Sequence, residues 1–80
     1  MEKDFSWNIG KNNKLKEERG ISFEGVVRSI IAGNFRIRKN QSGNHSGQLV
    51  YEITMQGSTW IVPFKKTKRG VFLITIFPRE

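Results

Sequence analysis

From residue 34 to residue 80 the chain holds eight lysines and arginines but only two acidic residues, Glu52 and Glu80. The one histidine, His45, and the one tyrosine, Tyr51, fall in the same stretch. These residue types suit RNA cleavage. The 2′-hydroxyl of RNA can attack the adjacent phosphorus, provided something takes its proton, steadies the phosphoryl oxygens and protonates the leaving 5′ oxygen. His, Glu, Lys and Tyr can act as the base or acid, and Arg and Lys can stabilise the developing anion. The candidate catalytic residues are Glu52, Lys65, Arg69, Arg79 and His45. No Walker loop, dinucleotide fingerprint or nucleophile elbow is present. No carboxylates or imidazoles cluster at ligand spacing, so neither a dedicated metal site nor a cofactor is expected.

Each candidate has two readings. Lys65, Lys66, Lys68 and Arg69 crowd "KKTKRG", where they would grip phosphates or form a solvated turn. Arg36, Arg38 and Lys39 make a second RNA-binding group, with both arginines on one face of a strand; an acidic partner could cover the same strand. A histidine can serve as acid or base near neutrality, which makes His45 a candidate, yet "QSGNHSG" is a polar, Gly-rich loop where a histidine can be mere surface. Glu52 is either a counter-ion among cations or a general base. Tyr51, Trp7 and Trp60 could serve a site or stack on bases, but core packing explains them as well. Arg79 is a phosphate-binding candidate beyond the last strand.

The whole chain has 80 residues, net charge +7 and a pI near 10.3. One domain is expected at this length, with a modest core. The charge is skewed: residues 1 to 33 carry six basic and five acidic groups. Concentrated positive charge attracts polyanions, nucleic acid foremost. The absence of cysteine rules out disulfides and thiolate zinc sites. It is compatible with a reducing compartment, and a cytoplasmic location is the expectation. "MEKDFSWNIG" lacks the apolar segment of a secretory leader. No apolar run approaches the roughly 20 residues of a membrane span.

The elements that must position these groups follow from periodicity. "DFSWN" alternates Phe5 and Trp7 with polar residues, as a short strand does. Asn8 is a candidate N-cap for a polar helix over "IGKNNKLKEER", with Gly20 as its C′ residue and Ile21 folding back. That helix has only Ile9 and Leu15 to bury, so it should sit shallowly. Phe23, Val26, Val27, Ile30 and Ile31 form the apolar stripe of a second helix between Ser22 and Gly33. Gly25 within it suggests close packing against the first helix. Strands follow over "NFRIRKN", "QLVYEITM", "TWIVPF" and "VFLITIF". The last is apolar on both faces, as a central strand would be. Pro63 cannot donate to a ladder, so an edge position or a bulge is expected there. The fold class is α+β: a short N-terminal strand, two helices, then a four-stranded antiparallel run with the helices on one sheet face.

The segment "FSWNIGKNNKLKEERGISFEGVVRSI" resembles the opening of BrnT-type toxins, ribonucleases of type II toxin–antitoxin systems whose fold is similar to RelE. Phe5, Trp7, Asn8, Lys11, Asn12, Leu15, Gly20, Ile21, Ser22, Phe23 and Glu24 carry the resemblance. "VFLITIFPRE" is similar to the family's last strand. Glu18 and Arg19 stand where the family often has a lysine–histidine pair. The resemblance implies an endoribonuclease that blocks translation. It also implies a cognate antitoxin, typically a ribbon-helix-helix protein, in a hetero-oligomer that represses its own operon. Without it, the residues leave open a non-catalytic nucleic-acid binder or a protein-interaction module.

Overall fold

The computed structural model describes residues 4–39 and 48–79. Their order is β1 (Asp4–Ser6), α1 (Ile9–Arg19), α2 (Phe23–Ile31), β2 (Phe35–Lys39), β3 (Leu49–Met55), β4 (Ser58–Lys66), β5 (Gly70–Leu73) and β6 (Phe77–Pro78). The protein is α+β, with two helices against a mixed sheet ordered β1-β5-β4-β3-β2, and β6 beside β4. No helix among the described residues is long and apolar enough to cross a membrane.

Both helices start where a side chain satisfies a free backbone N–H, and both stop on backbone bonds, Gly20 N–H to the Lys16 carbonyl and Ala32 N–H to the Arg28 carbonyl. Asn8 is extended, and its side-chain oxygen accepts the Lys11 N–H at 2.9 Å. Gly20 closes α1 at φ 66°, a left-handed geometry that glycine adopts without a Cβ penalty. Ser22 caps α2 by accepting the Gly25 N–H at 3.1 Å. Between the helices lies Asn12, which is 4% exposed. Its Oδ1 accepts the Phe23 N–H at 2.8 Å, and its Nδ2 donates to Glu24 Oε1 at 2.7 Å. This amide serves one of the orphan donors at the start of α2 and fixes the angle between the helices. It is also the main reason that the Glu24 carboxyl is held below its ordinary range, helped by a backbone N–H and by Lys16.

One sheet face and the helices share the core. Tyr51, Ile53, Val62, Phe64, Val71 and Leu73 meet Leu15, Ile21, Phe23, Val26 and Ile76. Tyr51 stacks on Phe64 with centroids 4.2 Å apart, and Trp7 on Phe23 at 5.7 Å. In the apolar stripe of α2, Phe23 and Val26 are buried, Val27 and Ile30 are partly buried, and Ile31 is 78% exposed. At 3.6 residues per turn, Ile31 is rotated about 80° from Phe23, to the rim of the stripe. Gly25 faces Met55 of β3 rather than α1; a Cβ there would lie 3.6 Å from the Met55 sulfur.

Strands β2 to β5 run antiparallel in succession, and the tight β3–β4 turn uses positive φ at Gln56 (53°) and Gly57 (75°). Two features differ from the sequence-based expectation. First, β1 joins the sheet parallel to β5, with Phe5 opposite Val71, so the sheet is mixed. Gly70 makes this possible, because a Cβ there would overlap the Asp4 backbone. Second, "VFLITIF" is two strands. The Ile74 N–H bonds the Pro63 carbonyl at 2.9 Å, whereas Phe77 is opposite Ile61. Thr75 and Ile76 therefore both stand against Val62, which makes a β-bulge. Pro63 lies in a central strand, not at an edge, but it lies beside this bulge. A strand residue's N–H and C=O point the same way, so its missing donor falls where the neighbouring ladder breaks.

Candidate nucleic-acid interface

The cross-strand register arranges the sheet face turned away from the helices. Arg36 lies opposite Glu52, Glu52 opposite Ile61, and Ile61 opposite Phe77. One row over, Thr54 pairs with Thr59, whose carbonyl accepts the Arg79 N–H at 3.0 Å. On the other side Arg38 pairs with Val50, and Val50 with Pro63. Side chains alternate along a strand, so Arg36, Arg38, Glu52, Phe77 and Arg79 all project to this outer face.

The bulge decides two of these positions. One extra residue inverts the pleat after Ile74. Ile76, 1% exposed, turns into the core, while Phe77 and Arg79 turn outward. Without the extra residue, Ile76 and Pro78 would take the outer positions. Arg19, at the end of α1, donates to the Ile76 carbonyl at 3.0 Å and so satisfies the bulged backbone.

At the centre of the face is Glu52, whose side chain is only 13% exposed. Arg38 Nε lies 3.2 Å from its Oε2, and Arg79 Nη1 lies 3.8 Å from the same oxygen. Both arginines remain about half exposed, at 52% and 55%. A shallow cleft beside Glu52 is lined by Gly33, Asn34, Phe35, Arg36 and Thr54. A carboxylate flanked by Arg38 and Arg79, with Arg36 in the adjoining cleft, can hold a phosphodiester at these arginines by its oxygens, since guanidinium forks match phosphate geometry. No protein-family model, curated protein or solved structure matches the chain. The reading of this face therefore rests on its own geometry.

The structure brings together Glu52, Arg36, Arg38 and Arg79 but not the other candidates among the described residues. Lys65 is on the same face, opposite Phe72, with its ammonium 5.4 Å from the Phe72 ring centre. It lies four residues along β4 from Ile61, or about 13 Å. Lys66 is opposite Val71 and Lys39 opposite Leu49, so both point to the helix side of the sheet. Lys68 and Arg69 form the β4–β5 turn, beside a cleft shared with Asp4, Ser6 and Thr67. The basic turn is thus a separate cationic site at one end of the sheet. His45 lies outside the described residues. Tyr51 is buried on the helix side, where burial raises its hydroxyl pKa. Trp60 donates its indole N–H to the Met55 carbonyl at 3.1 Å and packs against the core. Among the described residues, no three His, Cys, Asp or Glu side chains come together to hold a metal.

Sequence reasoning missed Phe77 as an outer-face residue, because "VFLITIF" is apolar at every position but one. Pro63 was the available signal: a proline in a central strand requires a break beside it. The residues that carry the toxin resemblance have structural work here. Asn8 and Ser22 cap, Gly20 terminates, Asn12 and Glu24 join the helices, and Trp7, Leu15, Ile21 and Phe23 pack. That segment builds the helical corner and contributes nothing to the Glu52 cluster.

Proposed function

We propose that this protein is a metal-independent endoribonuclease of the toxin type, which binds RNA on the outer sheet face and cuts it at Glu52. The observation that carries the reading is the nearly buried Glu52 carboxylate, held by Arg38 and Arg79 with Arg36 directly across. On binding, the arginines transfer their donors from Glu52 to the phosphate oxygens. The freed carboxylate takes the 2′ proton, the 2′ oxygen bonds to phosphorus as the P–O5′ bond breaks, and the departing 5′ oxygen takes a proton from solvent water. The products are a 2′,3′-cyclic phosphate and a 5′-hydroxyl. The arginines offset the charge on the five-coordinate phosphorus, where one well-placed donor is worth about 10²–10³ in rate. Lys65 and the Lys68–Arg69 turn extend the phosphate track along β4.

The absence of cysteine fits a cytoplasmic setting, and the family resemblance adds translation as the process blocked and an antitoxin partner of the ribbon-helix-helix kind. One observation favours a second reading. Oε2 of Glu52 is already shared by two arginines, as it would be if Glu52 only ordered the cations of a non-catalytic RNA binder. Induced expression separates the two. The toxin reading expects growth arrest by the wild-type gene and normal growth with Glu52→Gln. Normal growth with the wild type, together with intact RNA after incubation with the purified protein in EDTA, would contradict it.

A further inference from the structure

Phe77 is the most exposed aromatic side chain among the described residues, at 39%. Single exposed apolar residues are ordinary on protein surfaces. Three observations set Phe77 apart. The bulge turns it outward when regular pairing would place Ile76 there. The register puts it two strands from Glu52, about 10 Å at normal strand spacing. It also borders a second cleft, whose charged lining from α1 is Lys11, Lys14 and Arg19 with the single acidic Glu18, a net positive set. Phe77 thus stands between two cationic surfaces, with Ile61 as its apolar neighbour. By contrast Phe72, the other aromatic of the outer face, already has the Lys65 ammonium over its ring.

We infer that Phe77 is a stacking platform for the base adjoining the phosphate held at Glu52, and that it selects single-stranded RNA. The inference rests on the RNA-cleaving reading of the same face. A nucleotide with its phosphate on Arg38 and Arg79 carries its base one sugar away, toward β6. An aromatic ring accepts any base by its π-face, so the site reads strandedness rather than sequence. Bases in a duplex are stacked on their neighbours and cannot lie on the ring. Beyond Phe77 the strand would pass to Lys11 and Lys14. Phe77 is a positioning residue, since it touches the substrate away from the reacting atoms.

Binding of short RNAs made entirely of 2′-O-methyl nucleotides tests this without cleavage. An unstructured strand and the duplex of the same sequence are titrated against wild type, Phe77→Ala, Phe77→Leu, Phe77→Trp and Arg38→Ala. Base stacking on one aromatic corresponds to roughly 5- to 150-fold in affinity. Phe77→Ala and Phe77→Leu should lose that factor for the single strand and bind the duplex as wild type does. Phe77→Trp should retain single-strand affinity, with quenching of emission beyond that of Trp7 and Trp60. The leucine variant preserves apolar bulk, so a loss there identifies the ring rather than packing. Suppose Phe77→Ala and Phe77→Leu bind the single strand normally while Arg38→Ala binds it weakly. The RNA face then stands and the stacking role is overturned. If wild type binds neither RNA, both readings fail.

Discussion

Replacing Asn12 with alanine should destabilise the fold by about 2–3 kcal/mol. The magnitude comes from two bonds. Loss of Oδ1 leaves the Phe23 N–H without an acceptor at a residue that is 0% exposed, and an unsatisfied buried donor costs about 1–3 kcal/mol. Loss of Nδ2 removes a hydrogen bond to the half-exposed Glu24 carboxylate, which solvent discounts to about 1 kcal/mol or less. For 80 residues the total stability expected is about 4–12 kcal/mol, so the loss is a large share of it. The thermal midpoint should fall by roughly 10–20 °C. Urea unfolding followed by circular dichroism gives the midpoint, and an unchanged slope shows that the folded state is otherwise intact. Asn12→Asp is the informative companion. It keeps the acceptor for Phe23 but sets one carboxylate against another, so its deficit should shrink on mild acidification. An Asn12→Ala protein within about 0.5 kcal/mol of wild type, inside the usual range for surface substitutions, would show that the amide does not join the helices.

Glu24 supplies a pH dependence. Its folded pKa is depressed, so its contribution is present above the unfolded carboxylate value and is lost as pH falls through the folded one. Stability should therefore drop in acid, and Asn12→Ala should flatten that drop and raise the Glu24 pKa measured by NMR. Gly25→Ala should raise stability by about 0.5–1 kcal/mol, since the added Cβ meets nothing nearer than 3.6 Å; a lower unfolding midpoint would contradict this. Neutralising Lys65, Lys66, Lys68 and Arg69 together should weaken RNA binding and reduce its salt dependence. Unchanged affinity would remove the basic turn from the interface and leave the Glu52 cluster standing. Arg19→Ala withdraws the donor from the bulged Ile76 carbonyl. It should slow RNA cleavage more than it weakens folding, because Phe77 and Arg79 lose their fixed aim; normal turnover would refute that role.

Local signals in the sequence were legible because the physics behind them is local. Asn8, Gly20 and Ser22 announce the helix ends through capping chemistry that needs only three or four neighbouring residues. Alternation in "NFRIRKN" and "QLVYEITM" places Arg36, Arg38 and Glu52 on one side and Phe35, Tyr51 and Ile53 on the other. Grouping Glu52 with Arg79 and Arg38 is a different matter, because it depends on strand neighbours. Arg79 reaches Glu52 across β4, and the parity that points it there is set by a single extra residue at Thr75–Ile76. An apolar run carries no mark of that parity.

Charge density was a weaker guide than register. The densest cationic run, Lys65 to Arg69, divides between two faces and a turn. The candidate centre draws instead on isolated arginines from β2 and from beyond β6. The parallel pairing of β1 with β5 was likewise hidden, since it depends on Gly70 admitting the Asp4 backbone.

The most direct test is end-group analysis of a single-stranded RNA incubated with purified wild type or Glu52→Gln in EDTA. Removing a general base costs about 10²–10⁴ in rate. The wild type should leave 2′,3′-cyclic phosphate and 5′-hydroxyl ends, and Glu52→Gln should bind the RNA but cut it slower by that factor. RNA left intact by the wild type, or cut equally well by Glu52→Gln, would contradict a catalytic centre at Glu52.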